Sequence, residues 1–420
     1  MAPEDPSPPA VPSASDAPGR SDDPHRLSRR TLLAATGAGA GLVPLLAVGA
    51  PAAAAPGSAG QPGGPRTSAP SIRGADISFT RQTEAAGIRY QRDGERGPLE
   101  RLLRAAGANW VRLRVWVDPP AGYSDLAGAL RLADRAHQAG LKVLLDLHYS
   151  DFWADPGHQD IPAAWLGQDL TTLARTVRTY TADTITAFAR QGSPVDMVQI
   201  GNEVTAGMLW PVGQIYTDAG ERWPEFATLV KAGLAGARAA NPRGHRLRTM
   251  LHIDRGGDNG GSRWFFDRVL AQGVEFDVIG QSYYPFWHGS LADLTANLHD
   301  LAERYGKPLV VTETSYPWTM ANGDSLANLL TDPTALPDGA TYPATPAGQA
   351  AYFAALRRVL AGVPHGLGTG FFAWEPGWLP GVGWEPGAGN PNDNLTLFDW
   401  SGRALPAFDV AYSAAPTRAA

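Results

Sequence analysis

From residue 72 onward the chain repeats one theme: a short apolar run rich in β-branched residues, a polar and aromatic cluster directly after it, then a stretch with apolar residues three and four apart. The runs lie at 72–77, 110–115, 142–147, 195–200, 247–253, 276–280, 309–311 and 370–374. Helical spacing falls between them at 99–106, 126–140, 170–190, 226–240, 264–271, 291–305 and 346–360; Leu126, Leu130, Ala133 and Ala136, for example, share one face. Continuous apolar strands alternating with helices belong to a parallel sheet covered on both faces. Eight repeats therefore predict an α/β fold, a (β/α)8 TIM barrel, as a single catalytic domain over 72–415. A doubly wound open sheet also alternates strand and helix. No Gly-rich dinucleotide fingerprint follows the first run, however, where Gly74-Ala75-Asp76 stands alone.

A barrel of this kind gathers the residues at the carboxyl ends of its strands on one face, which is where such folds do chemistry. The positions are Asp76 and Ser78; Arg112, Arg114, Trp116 and Asp118; His148, Ser150, Asp151 and Trp153; Asn202 and Glu203; His252 and Asp254; Tyr283, Tyr284 and Trp287; Glu313; and Trp374, Glu375 and Trp378. Ordinary turns are built from Gly, Pro, Asn, Asp and Ser. A strand end carrying His148, Asp151 and Trp153 together has a different purpose.

The first 71 residues differ from the rest. Pro, Ala, Gly and Ser dominate, and an apolar stretch at 32–48 follows Ser28-Arg29-Arg30-Thr31-Leu32-Leu33 and runs into small residues at 50–55. This pattern predicts a twin-arginine-type signal region at 1–55, a flexible linker at 56–71, and a protein secreted by the Tat pathway. Gly37, Gly39, Gly41 and Pro44 make the stretch too weakly hydrophobic for a lasting anchor, so no membrane association is expected after cleavage. The net charge of −6 falls on the part after residue 70 and argues against nucleic acid as a partner, since nothing offsets phosphate repulsion. There are no cysteines, which excludes disulfides, thiolate chemistry and Cys-ligated metals. The 13 Trp and 12 Tyr suit sugar clefts, where flat rings serve as stacking platforms.

Cleaving a glycosidic bond takes two carboxyl groups, one to protonate the leaving oxygen and one to act at the anomeric carbon. Glu203 and Glu313 follow the fourth and seventh runs, on opposite sides of a barrel mouth. Asn202 is set to contact a sugar 2-hydroxyl, and Tyr283 or Tyr284 to hold a carboxylate by its hydroxyl. Arg112 or Arg114 supplies the fixed charge that keeps one carboxylate ionised, while a less polar site keeps the other protonated. His148 reads as a shaper of the carboxyl pocket or as a core histidine. His148, His252 and His288 lack the spacing of a metal site. Trp374 is the expected floor of a sugar subsite, whereas Trp116, Trp153, Trp287 and Trp378 read as platform or core. Glu375 and Glu385, each in Trp-Glu-Pro, are the competing carboxyls.

Seven blocks carry a family resemblance: Gly74-Ala75-Asp76-Ile77-Ser78, Val111-Arg112-Leu113-Arg114-Val115-Trp116, Asp146-Leu147-His148-Tyr149-Ser150-Asp151-Phe152-Trp153-Ala154-Asp155-Pro156-Gly157, Gln199-Ile200-Gly201-Asn202-Glu203, Ser282-Tyr283-Tyr284-Pro285-Phe286-Trp287-His288-Gly289, Glu313-Thr314-Ser315-Tyr316 and Trp374-Glu375-Pro376-Gly377-Trp378. In this order they resemble the arabinogalactan endo-β-1,4-galactanases of glycoside hydrolase family 53, across 72–412. The resemblance implies a clan A barrel that hydrolyses internal β-1,4-galactosyl bonds of plant cell-wall galactan with retention, Glu203 the proton donor and Glu313 the nucleophile. A mannanase or cellulase of the same clan is the alternative enzyme, and a non-catalytic carbohydrate-binding barrel the alternative of another class. Several bacterial relatives carry a structural calcium after strand seven. Residues 320–340 offer only the scattered Asp324, Asp332 and Asp338, so neither calcium nor any other cofactor is expected. A monomer acting on a polysaccharide is the expected assembly.

Overall fold

The computed structural model describes residues 66–67, 69–241 and 245–418. The predicted signal region, and the linker up to residue 65, lie outside the described residues. Eight parallel strands close into a barrel in chain order: β1 Ile72–Asp76, β2 Trp110–Val115, β3 Lys142–Leu147, β4 Met197–Ile200, β5 Arg248–Ile253, β6 Val278–Ser282, β7 Leu309–Thr314 and β8 Gly368–Ala373, with β8 paired to β1. Eight longer helices alternate with them: α1 Leu99–Ala106, α2 Leu126–Gln138, α3 Leu170–Arg190, α4 Trp223–Ala240, α5 Asn259–Ala271, α6 Leu291–Tyr305, α7 Pro346–Gly362 and α8 Pro406–Tyr412. The (β/α)8 barrel expected from the alternation is the fold observed.

The helix starts are written into the sequence. Asp125, Asp169, Asp258 and Thr345 accept the backbone N–H three residues on, at the heads of α2, α3, α5 and α7. Ser290 and Asp293 make a reciprocal capping box at α6. These caps satisfy amides that the first helical turn would otherwise leave bare.

Strand limits shift where side chains replace ladder bonds. The fourth begins at Met197 instead of residue 195, because the Asp196 carboxylate accepts from Val143 N at 3.0 Å. The sixth moves on to Val278, and the Asp277 carboxylate accepts from Thr249 N at 2.8 Å. The seventh runs three residues beyond 311, so Glu313 belongs to the strand itself. The last part of the expected linker is ordered as well, since Arg66–Thr67 pairs antiparallel with Thr417–Arg418, just past the expected end at 415.

The barrel interior has two storeys. Its floor is an apolar layer with one side chain from every strand: Ile72, Trp110, Leu144, Met197, Met250, Val278, Val310 and Phe372. Gly74 makes room for that floor, because a Cβ there would sit 2.2 Å from the Phe372 ring. One layer toward the carboxyl ends the interior turns polar, with Asp76, Arg112, Asp146, Gln199, His252 and Glu313 all buried. Packing the floor with hydrocarbon shuts water out from below, which raises the strength of every charge interaction in the polar storey.

Candidate active site

The polar storey is organised around one guanidinium. Arg112 projects inward from mid-β2 and is fully buried. Its Nη1 meets Asp76 Oδ2 at 2.8 Å and Glu313 Oε1 at 2.7 Å. Its Nη2 donates to Asp146 Oδ2 and to Asn202 Oδ1, both at 2.8 Å. One cation thus ties together the ends of β1, β3, β4 and β7. A guanidinium suits this task because its planar fork of donors stays charged when buried.

Glu313 receives a second donor, since the Tyr284 hydroxyl reaches its Oε2 at 2.9 Å. Adjacent residues leave an extended chain on opposite sides, and Tyr283 accordingly points away, its hydroxyl bonded to the Gly289 carbonyl at 3.0 Å. Of the two tyrosines the sequence left open, Tyr284 meets the carboxylate. Likewise Arg112 rather than Arg114 holds Glu313. Arg114 pairs with Glu375 at 3.2 Å, and its guanidinium lies over the rings of Trp153 and Phe79 at 4.4 and 4.7 Å.

Glu203 stands at the exit of β4 in left-handed backbone, φ 46° and ψ 49°, a conformation costly for a residue with a Cβ. Burial pushes its carboxyl well above the ordinary range, and the negative charges of Glu313 and Asp254 push it further. Burial raises Glu313 as well, but less, because the Arg112 guanidinium pulls against it. When the pair holds a single proton, Glu203 carries it.

The histidines are neutral props. His148 Nδ1 accepts from Ala154 N at 2.9 Å and faces Trp116 Nε1 at 3.3 Å, which leaves Nε2–H to meet Asp146 Oδ2 at 3.0 Å. Burial lowers His148, and lowers His252 far more, with Arg112 adding to the effect on His252. His252 bridges Asn202 Oδ1 and the Ser282 hydroxyl at 3.0 and 2.8 Å. Asn202 donates to the Ala154 carbonyl at 2.8 Å, so one amide hydrogen remains for a ligand.

Above this layer runs an aromatic wall of tilted and edge-to-face contacts: Phe152 and Trp153 against Trp116, Trp153 against Trp374, and Trp374 against Tyr284, which touches Trp287. Trp153 and Trp374 are half-buried, and Trp287 and Phe152 are 43% and 40% exposed. These four rings offer faces to a ligand. Trp116 and Trp378 do not, and of the two readings left open for them the structure gives core: both are closed off, Trp378 stacked on Phe79 at 4.3 Å, and they brace the wall from behind. Asp118 is exposed, and its backbone N–H is held by Asp151, whose other oxygen takes Ala163 N at 2.8 Å. Asp151 therefore ties loops together, and the buried Ser150 does the same through its carbonyl, which accepts from Val117 N at 2.8 Å.

Of the competing carboxyls, Glu385 is exposed and Glu375 is sealed in. Burial and the neighbouring Asp76 push Glu375 well up, and its Oε2 accepts from Phe79 N at 3.3 Å. Sequence reasoning missed Asp146, Gln199 and Ser282 as parts of the network. The signal was present in Asp146 and Gln199, since a polar residue inside an apolar barrel strand has only the interior to face.

The carboxylates expected to bear on calcium are already taken by N–H donors. Asp324 accepts from Leu326 N at 2.8 Å, Gly381 N at 3.0 Å and Asn390 N at 2.8 Å; Asp332 from Thr334 N at 2.8 Å; and Asp338 from Leu291 N at 2.9 Å. Calcium needs about six to eight oxygens in one place. Among the described residues no three acidic or histidine side chains are grouped to hold a metal. Asp324 instead ties the loop after β7 to the loop after β8.

Two carboxyls at the exits of strands four and seven, one gripped by a guanidinium and the other pushed up by burial and by the charge of the first, are the groups a barrel glycoside hydrolase needs. The chain belongs to Glycosyl hydrolase family 53, whose profile matches residues 72–411. It is 45% identical over 345 residues to an uncharacterised protein of Niallia circulans, covering 81% of this chain and 93% of that one. It is 40% identical over 329 residues to a probable arabinogalactan endo-β-1,4-galactanase A of Aspergillus terreus, covering 76% and 88%. Among solved structures, the family 53 catalytic domain of Ignisphaera aggregans superposes with a TM-score of 0.76 at 35% identity, covering 83% of this chain and 99% of that one. No helix among the described residues is long and apolar enough to cross a membrane.

Proposed function

We propose that this chain is an exported, monomeric endo-β-1,4-galactanase that cuts internal bonds of plant cell-wall (arabino)galactan with retention, using Glu313 as nucleophile and Glu203 as acid and base. The observation that carries the reading is the unequal setting of the two carboxyls. Glu313 has a guanidinium on one oxygen and a phenol on the other, and Glu203 is half-buried beside two negative charges. The substrate comes from the galactanase relatives, the export route from the twin-arginine pattern at 28–33.

In the first step Glu313 bonds to the anomeric carbon while Glu203 gives its proton to the leaving oxygen. The new ester removes the Glu313 charge that helped hold the proton on Glu203, so Glu203 is now ready to accept one from water. That water attacks the anomeric carbon and frees Glu313. Asn202, with its spare amide hydrogen, stands beside Glu203 to hold a sugar hydroxyl. The two carboxyls carry the chemistry without a metal.

Reducing-end release from β-1,4-galactan, compared with mannan and carboxymethylcellulose, tests the substrate. Glu313→Gln should lower the galactan rate by about 10⁴-fold or more while leaving the fold intact. A variant that cleaves galactan near the wild-type rate sinks the assignment, and preference for mannan or cellulose redirects it within the clan.

A further inference from the structure

The wall of rings draws on the ends of β2, β3, β6 and β8, and a separate aromatic group stands on the loop after β4, which carries Glu203, and on α5. After Glu203 the chain folds back so that Ile215 N bonds to the Ala206 carbonyl at 3.0 Å, which fixes the base of a small hairpin, Tyr216–Thr217 with Gly220–Glu221. Tyr216 therefore emerges beside the loop that carries Glu203. Its ring is 48% exposed and lies parallel to Trp264 of α5, with centroids 5.2 Å apart and planes within 6°.

The pair is held from below. Glu221 accepts from the Trp223 indole at 2.7 Å, the Trp264 indole at 3.3 Å and the Arg268 guanidinium at 3.0 Å, and Trp223 meets Trp264 edge on at 5.0 Å. An exposed ring fixed in place binds a flat apolar face at little further cost in side-chain entropy. At the exit of β5 stand Asp254, which accepts from the hydroxyl of Thr205, two residues past Glu203, and Arg255, 3.9 Å from Asp254. These are polar groups suited to sugar hydroxyls. The charge of Asp254 acts on both Glu203 and the Tyr216 hydroxyl, as expected of a group lying between them.

A proton donor stands on the leaving-group side of the scissile bond, and the leaving group of an endo-acting enzyme is the reducing-end part of the chain. We propose that Tyr216, carried on Trp264, is a stacking platform for a galactosyl residue on the reducing-end side of the cut, with Asp254 and Arg255 binding hydroxyls between it and Glu203. The inference rests on the galactanase reading and on Glu203 as the donor. It makes the hairpin after β4 a determinant of how long a chain must be to be cut well, because binding energy from a remote sugar is used at the reacting centre.

The test compares two substrates: galactohexaose, which fills both sides of the cut, and an aryl β-galactobioside, whose leaving group carries no sugar. In Tyr216→Ala the ratio of kcat/KM on the hexaose to that on the aryl glycoside should fall about tenfold, the scale of one lost aromatic contact. Tyr216→Phe, which keeps the ring, should restore the ratio. With end-labelled hexaose, Tyr216→Ala should also spread the cuts toward the reducing end. A ratio unchanged in Tyr216→Ala overturns the platform, whether the two rates hold or fall together, and that result leaves galactanase activity standing. A wild-type protein that does not cut galactan overturns the functional reading and the platform with it.

Discussion

Asp146→Asn isolates what the buried polar network contributes to the fold. The carboxylate is fully enclosed and meets Arg112 at 2.8 Å, Gln199 at 2.7 Å and His148 at 3.0 Å. Burial alone would raise its pKa, but the Arg112 guanidinium and His148 outweigh it and bring it from 3.8 to about 2. A carboxyl whose folded pKa is depressed adds stability above its unfolded pKa, and that stability is lost as pH falls through the folded value. At 1.36 kcal/mol per unit, the shift amounts to about 2 kcal/mol at pH 7, and the linkage relation leaves about 1 kcal/mol of it at pH 3. With an unfolding entropy of about 2 cal/mol/K per residue over the barrel, the pH 7 term equals about 3 °C in Tm. Asn keeps the shape and removes the charge. Any cost of turning its amide hydrogens toward Arg112 is the same at both pH values. Urea unfolding of wild type and variant at pH 7 and pH 3 should therefore show a stability gap that narrows by about 1 kcal/mol on acidification. A gap that stays constant or widens would refute the argument that Asp146 is held ionised by Arg112.

Tyr284→Phe removes one of two donors on Glu313, and losing a hydrogen bond to a charged group should cut kcat on galactan by about tenfold or more. That hydroxyl also favours the ionised carboxylate, so the acid limb of the pH–rate profile should move to higher pH; an acid limb that stays in place would separate Tyr284 from the titration of Glu313. Because Asp324 joins the loops after β7 and β8 through backbone amides, EDTA should leave Tm within about 1 °C of its untreated value. A larger fall, reversed by calcium, would show that these loops do hold the ion.

The barrel was legible because strands buried on both faces read as unbroken apolar runs, and α1, α3 and α6 begin and end where their spacing predicts. Glu203 and Glu313 were legible because each interrupts or ends such a run. The choice between Tyr283 and Tyr284, or between Arg112 and Arg114, was not, since alternation says only that neighbours face opposite ways and not which faces in. Trp116 and Trp378 looked like their exposed counterparts in sequence. Their burial depends on rings from other loops, Phe152 and Trp153 against Trp116 and Phe79 against Trp378, which no local pattern records. Asp146 and Gln199 hid inside apolar runs, and the platform around Tyr216 depends on Glu221 and Trp264, residues 43 apart that only the tertiary fold brings together.

The left-handed backbone at Glu203 has a bearing on how this protein can be improved. Glycine at 203 would adopt that conformation freely, relieving about 1 kcal/mol of strain, and would also remove a half-buried carboxyl crowded by Glu313 and Asp254. A selection that rewards heat resistance alone would therefore favour losing the carboxyl proposed as proton donor. Screens for hardier variants need turnover as a second criterion from the first round, because at this one position durability and activity are opposed.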